Sequence, residues 1–173
     1  MAARRVLADE HTKFTILTTA PADTYPTAAE LNAGIDASCL VYADDFSWTA
    51  ADSESIAERA LCEATAAASP GISNYTLGFT AWRFFDETTG QPDPTADALF
   101  QAVKVKGTEL WGYTRRTGQR YDEDWVDGDE VQLGGRFITD TPQVVAGGLT
   151  KYRIPAMPQS MDDFFEVGDN GSA

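Results

Sequence analysis

Basic residues are scarce in this chain. Thirteen lysines and arginines face 27 aspartates and glutamates in 173 residues, a formal charge of −14 at pH 7. That excess of acid disfavours lasting attachment to nucleic acid or anionic lipid through counterion release. Histidine is scarcer still: His11 stands alone in a polar stretch beside Glu10 and reads as an exposed, idle side chain rather than a general base. The two cysteines, Cys39 and Cys62, have neither CxxC spacing nor a nearby histidine, so they do not make a zinc site and read as small buried hydrophobes. There is no GxSxG elbow for a nucleophile and no GxxxxGK[ST] loop to cradle phosphate, which sets aside those two chemistries. No apolar run approaches the ~20 residues that span a bilayer. The opening MAARRVLADEHTKF meets acid and lysine before any hydrophobic stretch, so the expectation is a soluble chain without a secretion signal.

What is present describes one core. Hydrophobic residues make up 43% and charged residues 23% of a length that fits one domain. Lys13–Thr18 reads as a strand closed by the turn cluster Ala20–Pro26, and Thr27 with Glu30 three residues on forms a capping-box signature for one or two helical turns ending near Gly34. Ala37–Tyr42 reads as a second strand, with ADD as a tight turn into a third at Phe46–Thr49. Ile72–Asp86 is aromatic and β-branched enough for a central strand. Asp93 as N-cap, Pro94 in the first turn, and Ala96, Leu99, Phe100 and Val103 at helical spacing mark the clearest helix, ended by Gly107. Glu109–Thr114, Glu130–Thr139 (kinked at Gly134-Gly135) and Gly148–Ile154 are three further strands. Residues 1–158 form the expected domain and 159–173 an acidic tail in which Met161, Phe164 and Phe165 offer anchors. The sum is a mainly β, α+β, antiparallel domain with one packed helix and a short second one.

One segment stays open. DSESIAERALCEATAAA, residues 52–68, has an Asp N-cap and helical spacing of Ile56, Ala60, Leu61 and Ala64. Asp52, Glu54 and Glu58 also fall on one face of an extended chain, so a pair of strands competes with the helix.

YDEDWVDGDE, residues 121–130, packs six carboxylates into nine positions. As a calcium loop its spacing fails: Trp125 and Val126 take the fourth and fifth places and Leu133 the twelfth, where Glu is needed. A solvated turn between strands is the plain reading, with Trp125 as the exposed contact aromatic. A carboxylate pair on a β-fold is the geometry of a glycosidase, but acid spread over every loop favours a general electrostatic role over one tuned pair.

PTAAELNAGID before a strand region containing Cys39, Leu61-Cys62 seven residues ahead of Pro70-Gly71, a Tyr-containing strand, a helix after Asp93, and GDEV at Gly128–Val131 together resemble the major tail tube proteins of long, non-contractile-tailed phages, especially those of actinobacteria. The resemblance covers Lys13 to about Ile154. It implies an antiparallel β-sandwich or barrel-like fold with one flanking helix, hexameric rings stacked as a tube, and an extended chain around Leu61-Cys62. It also implies partners in the tape measure, tail tip and tail terminator proteins, and passage of double-stranded DNA that does not stick. The expected place is the virion tail, after assembly in the host cytoplasm. No catalytic residue, cofactor or metal ligand is carried over. Asp52, Glu54, Glu58, Asp127, Asp129 and Glu130 are the acidic residues expected to face the channel or the junction between rings. A rival reading is a β-sandwich binding module of a tail tip or adhesin, and a more distant one an acidic β-fold hydrolase.

Overall fold

The computed structural model describes residues 5–62, 64, 65 and 67–168. Glu63 and Ala66 of the ambiguous segment, and residues 169–173 of the expected tail, lie outside the described residues. The strands are β1 (Thr12–Leu17), β2 (Ile35–Asp36), β3 (Val41–Ala51), β4 (Ser55–Glu58), β5 (Ala67–Pro70), β6 (Asn74–Trp82), β7 (Glu109–Arg116), β8 (Glu130–Thr139), β9 (Gln143–Val144) and β10 (Lys151–Glu166). Two short helices, α1 (Ala28–Ala33) and α2 (Ala98–Val103), complete the set. Eight strands make one antiparallel sheet in the order β2-β1-β7-β8-β10-β6-β3, with β9 on β10, while β4 and β5 pair only with each other. The sheet curls into a half-barrel, so the mainly β expectation stands.

The curl follows from which side chains meet. Phe14 of β1 lies 5.0 Å from Phe46 and 4.9 Å from Trp48 of β3, ring centre to ring centre, although the two strands stand near opposite ends of the sheet order. Trp48 is fully buried, donates through its indole N–H to the Leu133 carbonyl at 3.3 Å, and packs edge-on against Phe137. Its ring lies over Gly112, where an added Cβ would come within 2.6 Å. Glycine there lets β3 fold across the concave face; a larger residue would hold the sheet open. Leu99, Phe100 and Val103 of α2 join the same core.

The opposite face carries a second core. Leu31 of α1 packs with Leu17, Tyr113, Trp125, Val131 and Phe165. The capping box forms as read: the Thr27 hydroxyl accepts from the Glu30 amide at 3.3 Å and the Glu30 carboxylate accepts from the Thr27 amide at 2.8 Å. The Thr27 and Ala22 amides hold the Glu30 carboxyl below the usual carboxylate range.

Several elements differ from expectation. The ADD turn is a β-bulge inside one long strand, because the register of β3 on β6 slips between Tyr42 and Ser47. Thr80 donates to the Asp45 carboxylate and Arg153 to the Asp45 carbonyl, pinning the bulge to neighbouring strands. The strand expected to end at Ile154 runs to Glu166, through the start of the expected tail. Pro155 and Pro158 do not break it, for they flank Ala156, the residue at which β10 leaves β6 and takes up β8. At that crossing a missing N–H costs little of either ladder. Phe165 stacks on Tyr25 at 4.3 Å, whereas Phe164 is exposed with φ of 52°. Asp93 caps its turn as expected, accepting from the Thr95 and Ala96 amides at 2.8 and 2.7 Å, but the regular helix begins only at Ala98.

Asp97, at the start of α2, is buried and bound on all sides. It accepts from the Arg83 guanidinium at 3.0 and 3.1 Å, from the Phe84 amide at 3.0 Å and from Gln101 at 2.6 Å. Burial pushes its pKa up, but these donors together outweigh burial and hold it below the ordinary carboxylate value. A carboxyl more acidic folded than unfolded adds stability above the unfolded pKa of about 4 and loses it as pH falls through the folded value. Asp97→Asn is therefore expected to destabilise the fold by about 2–3 kcal/mol near neutral pH and to flatten the acid limb of a stability-against-pH curve measured by urea unfolding. Gly112→Ala, which crowds Trp48, is expected to cost about 1–3 kcal/mol in the same measurement and to shift tryptophan fluorescence.

Candidate assembly surface

The most exposed stretch among the described residues is the hairpin. β3 and β6 stay paired out to Ala51 and Asn74. The Glu54 amide then donates to Ile72 and the Gly71 amide to Glu54, at 3.1 and 2.6 Å, and β4 with β5 continues the ladder to Glu58 opposite Ala67. The result is a two-stranded ribbon standing off the half-barrel. Every described residue from Thr49 to Pro70 is exposed, with Ile56 at 54% and Leu61 at 107% of full exposure. The ribbon resolves the ambiguity at residues 52–68 in favour of strands. A short amphipathic helix needs a surface for its apolar stripe, and no described residue buries this segment. The ladder already running along β3 and β6 supplies the backbone with partners instead. Asp52, Glu54 and Glu58 are all exposed on this ribbon.

The acidic run behaves quite differently. Arg115 at the end of β7 is 1% exposed and reaches under the loop that follows. One terminal nitrogen donates to the Asp129 carboxylate at 2.8 Å and the Asp124 carbonyl at 3.1 Å; the other donates to the carbonyls of Arg120 and Glu123, both at 2.9 Å. Its guanidinium also lies 5.0 Å from the Trp125 ring centre. Asp129 accepts further from the Val126 amide and from Gln119, at 3.1 and 3.0 Å. Charge pairing at this depth, with both partners hydrogen-bonded, fixes the loop path. Trp125 is accordingly no exposed contact aromatic: it is 1% exposed and donates to the Thr15 hydroxyl at 2.9 Å. The run owes its shape to a buried cation, which spacing within the run did not reveal.

Its other carboxylates stay at the surface. Asp127 is exposed and accepts from the Ala28 amide at 3.1 Å, at the start of α1. Glu130 is exposed at the head of β8, in register with Glu166 of β10. Two like charges opposite one another weaken a ladder, and Asp162 and Asp163 extend the acid along β10. Sequence reasoning missed this strip, because it assigned those residues to a tail; only Met161 and Phe165, four residues apart and both turned inward, hinted at a strand. The expected carboxylates thus divide into three on the ribbon, two at the surface beside α1 and β8, and Asp129 in the interior.

Two further expectations are corrected. Cys39 and Cys62 are exposed free thiols, not buried hydrophobes, since one lies in the turn before β3 and the other at the hairpin tip. His11 is half-buried, with Nδ1 2.9 Å from the Gln119 carbonyl oxygen. Among the described residues no cluster of His, Cys, Asp and Glu has metal-binding geometry, and no helix is long and apolar enough to cross a membrane.

A half-barrel with free edges, an acidic surface and an exposed ribbon has the features of a part made for assembly. Neither a curated protein nor a solved structure matches the chain. A family described as phage tail tube protein matches residues 1–165. With nearly its whole length so matched, the chain belongs to the phage tail tube protein family, as a structural component of the virion tail that assembles with other tail proteins.

Proposed function

We propose that the protein forms hexameric rings that stack into the tail tube and enclose the channel through which double-stranded DNA leaves the capsid. The observation that carries this reading is the ribbon. An exposed strand pair bearing Ile56 and Leu61 gains stability only by burial against another molecule. The free outer edges of β3 and β2 add unpaired backbone donors and acceptors to the same surface, and closure into a ring removes such edges. Ends of the tube meet the tail tip and terminator proteins, and the tape measure protein occupies the channel before DNA does. Folding and ring formation take place in the host cytoplasm.

The charge of −14 fits passage of a polyanion. Each basic contact to phosphate would add counterion-release affinity and hence friction, while a ring repeats every acidic residue around its axis and builds a field of one sign. Asp52, Glu54, Glu58, Asp127 and Glu130 are the exposed carboxylates proposed to face the channel or the junction between rings, with Glu166 beside Glu130. Asp129 serves that field only indirectly, by holding the loop that carries Asp127.

Purified protein at rising concentration, with a tail-tip initiator, is expected to give rings and hollow filaments in negative-stain electron microscopy. Replacing residues 55–70 by a short turn is expected to leave monomer unfolding unchanged and abolish the filaments; filaments of normal length without the hairpin would refute its role. Reversal of single carboxylates to lysine sorts the five sites. A channel-facing reversal leaves tubes intact and makes DNA ejection slower and salt-dependent, whereas one at a ring junction shortens the tubes. Normal assembly and normal ejection for all five would remove the electrostatic part of the proposal.

A further inference from the structure

The half-barrel does not close, and its seam has a shape. On one side stands β1, paired with β2 only at Thr15 and Ile16; on the other stands β3, whose outer edge has no partner strand. Between them lies a groove of about 580 Å³ with Phe14, Val41 and Phe46 in its lining. Asp9, Glu10 and Arg116 also line it, with Glu10 paired to Arg120 at 2.8 Å, and Cys39 lines it beside the Tyr121 hydroxyl. The groove is therefore apolar within, carries Asp9 as its unpaired acid beside the paired Glu10 and the basic Arg116, and is bounded by a strand edge able to accept another strand.

The hairpin tip is its chemical complement. Leu61 is fully exposed, the neighbouring Cys62 is exposed, and Arg59, the one basic residue between Asp52 and Gly71, stands two positions before Leu61. A chain cannot readily fill its own groove with its own tip. The ladder running from Ser47 to Glu58 holds the ribbon extended, and at ~3.3 Å per residue the fifteen steps from Phe46 to Leu61 amount to about 50 Å of strand. The fit is between two molecules.

We propose that the hairpin tip of one copy docks in the β1–β3 groove of a second copy. Leu61 sits over Val41 and Phe46, Arg59 faces Asp9, and Cys62 comes beside Cys39. Strand addition at the β3 edge supplies backbone bonds, and the apolar lining selects Leu61. Every copy gives one tip and receives one, so the contact is heterologous and propagates from copy to copy. The proposal rests on the tube reading and specifies the contact by which it is met.

The two thiols make the test direct. Assembled tubes treated with a short bis-maleimide, which adds a thiol at each end with nothing released, are expected to give a ladder of covalent multimers. Mass spectrometry should identify a peptide joining Cys39 to Cys62. Cys39→Ser and Cys62→Ser, which keep a polar group of similar size at each position, are each expected to abolish the ladder by removing one of the two thiols that the reagent joins. Tubes assembled from a mixture of the two variants give covalent dimers and nothing larger, since each copy then has one reactive end. Intact tubes with no Cys39–Cys62 peptide, or with Cys62 joined only to Cys62, overturn the docking proposal and leave the tube reading standing. A chain that forms no tube under any assembly condition overturns both.

Discussion

A single sheet that curls around an aromatic core but stops short of closing has two edges left over, and that constraint governs the rest of this molecule. The curl is possible because Gly112 leaves room for the Trp48 ring, which draws β3 across the concave face towards β1. Had the sheet closed, its backbone groups would all be satisfied within one chain. Left open, the fold carries both an unmet ladder at β3 and a ribbon that extends the same strand into solvent. One strand thus has two uses: its first part closes the core, and its second leaves the body as the exposed ribbon.

Electrostatics follows a similar division between interior and surface. The chain is strongly acidic, yet each of its two most buried carboxylates is held by an arginine: Asp97 by Arg83 and Asp129 by Arg115. These pairs organise α2 and the 117–129 loop. At these two places desolvation makes a partner for the carboxylate obligatory, whereas Arg59, Lys104, Lys106, Arg116, Arg120 and Arg136 stay exposed among the surface acid. Each pair is neutral as a unit, so the interior gains its local order without altering the excess of acid at the surface.

Local chemistry was legible in the sequence wherever neighbours in the chain decide structure. The Thr27–Glu30 capping box, the Asp93 turn, β1 and β8 all follow from residues within a few positions of one another. Features decided by distant residues were not. The β3 bulge depends on Thr80 and Arg153, and Trp125 is buried because Arg115 and Thr15 come to it from other strands. The length of β10 was hidden by Pro155 and Pro158, which are harmless only because the strand changes partners between them. The hairpin at residues 52–68 defeated local propensity for a related reason: helical spacing counts only when there is something to pack against. The family resemblance pointed to strands, and β4 and β5 are strands, but Leu61-Cys62, around which it implied an extended chain, form the turn at the hairpin tip. Of the expected acidic site, five carboxylates lie at the surface, and Asp129 alone was drawn inside by a cation fourteen residues away.

The change of partners in β10 has a mechanical consequence. Its first six residues pair with β6, the strand that continues into the ribbon, and the remainder pair with β8 at the heart of the sheet. Tension applied to the ribbon along β6 would pass to β10 and then to β8 as shear, with each ladder loaded parallel to its strands. Many backbone bonds must then yield together rather than one after another, so β10 acts as a tie rod between the projecting arm and the body.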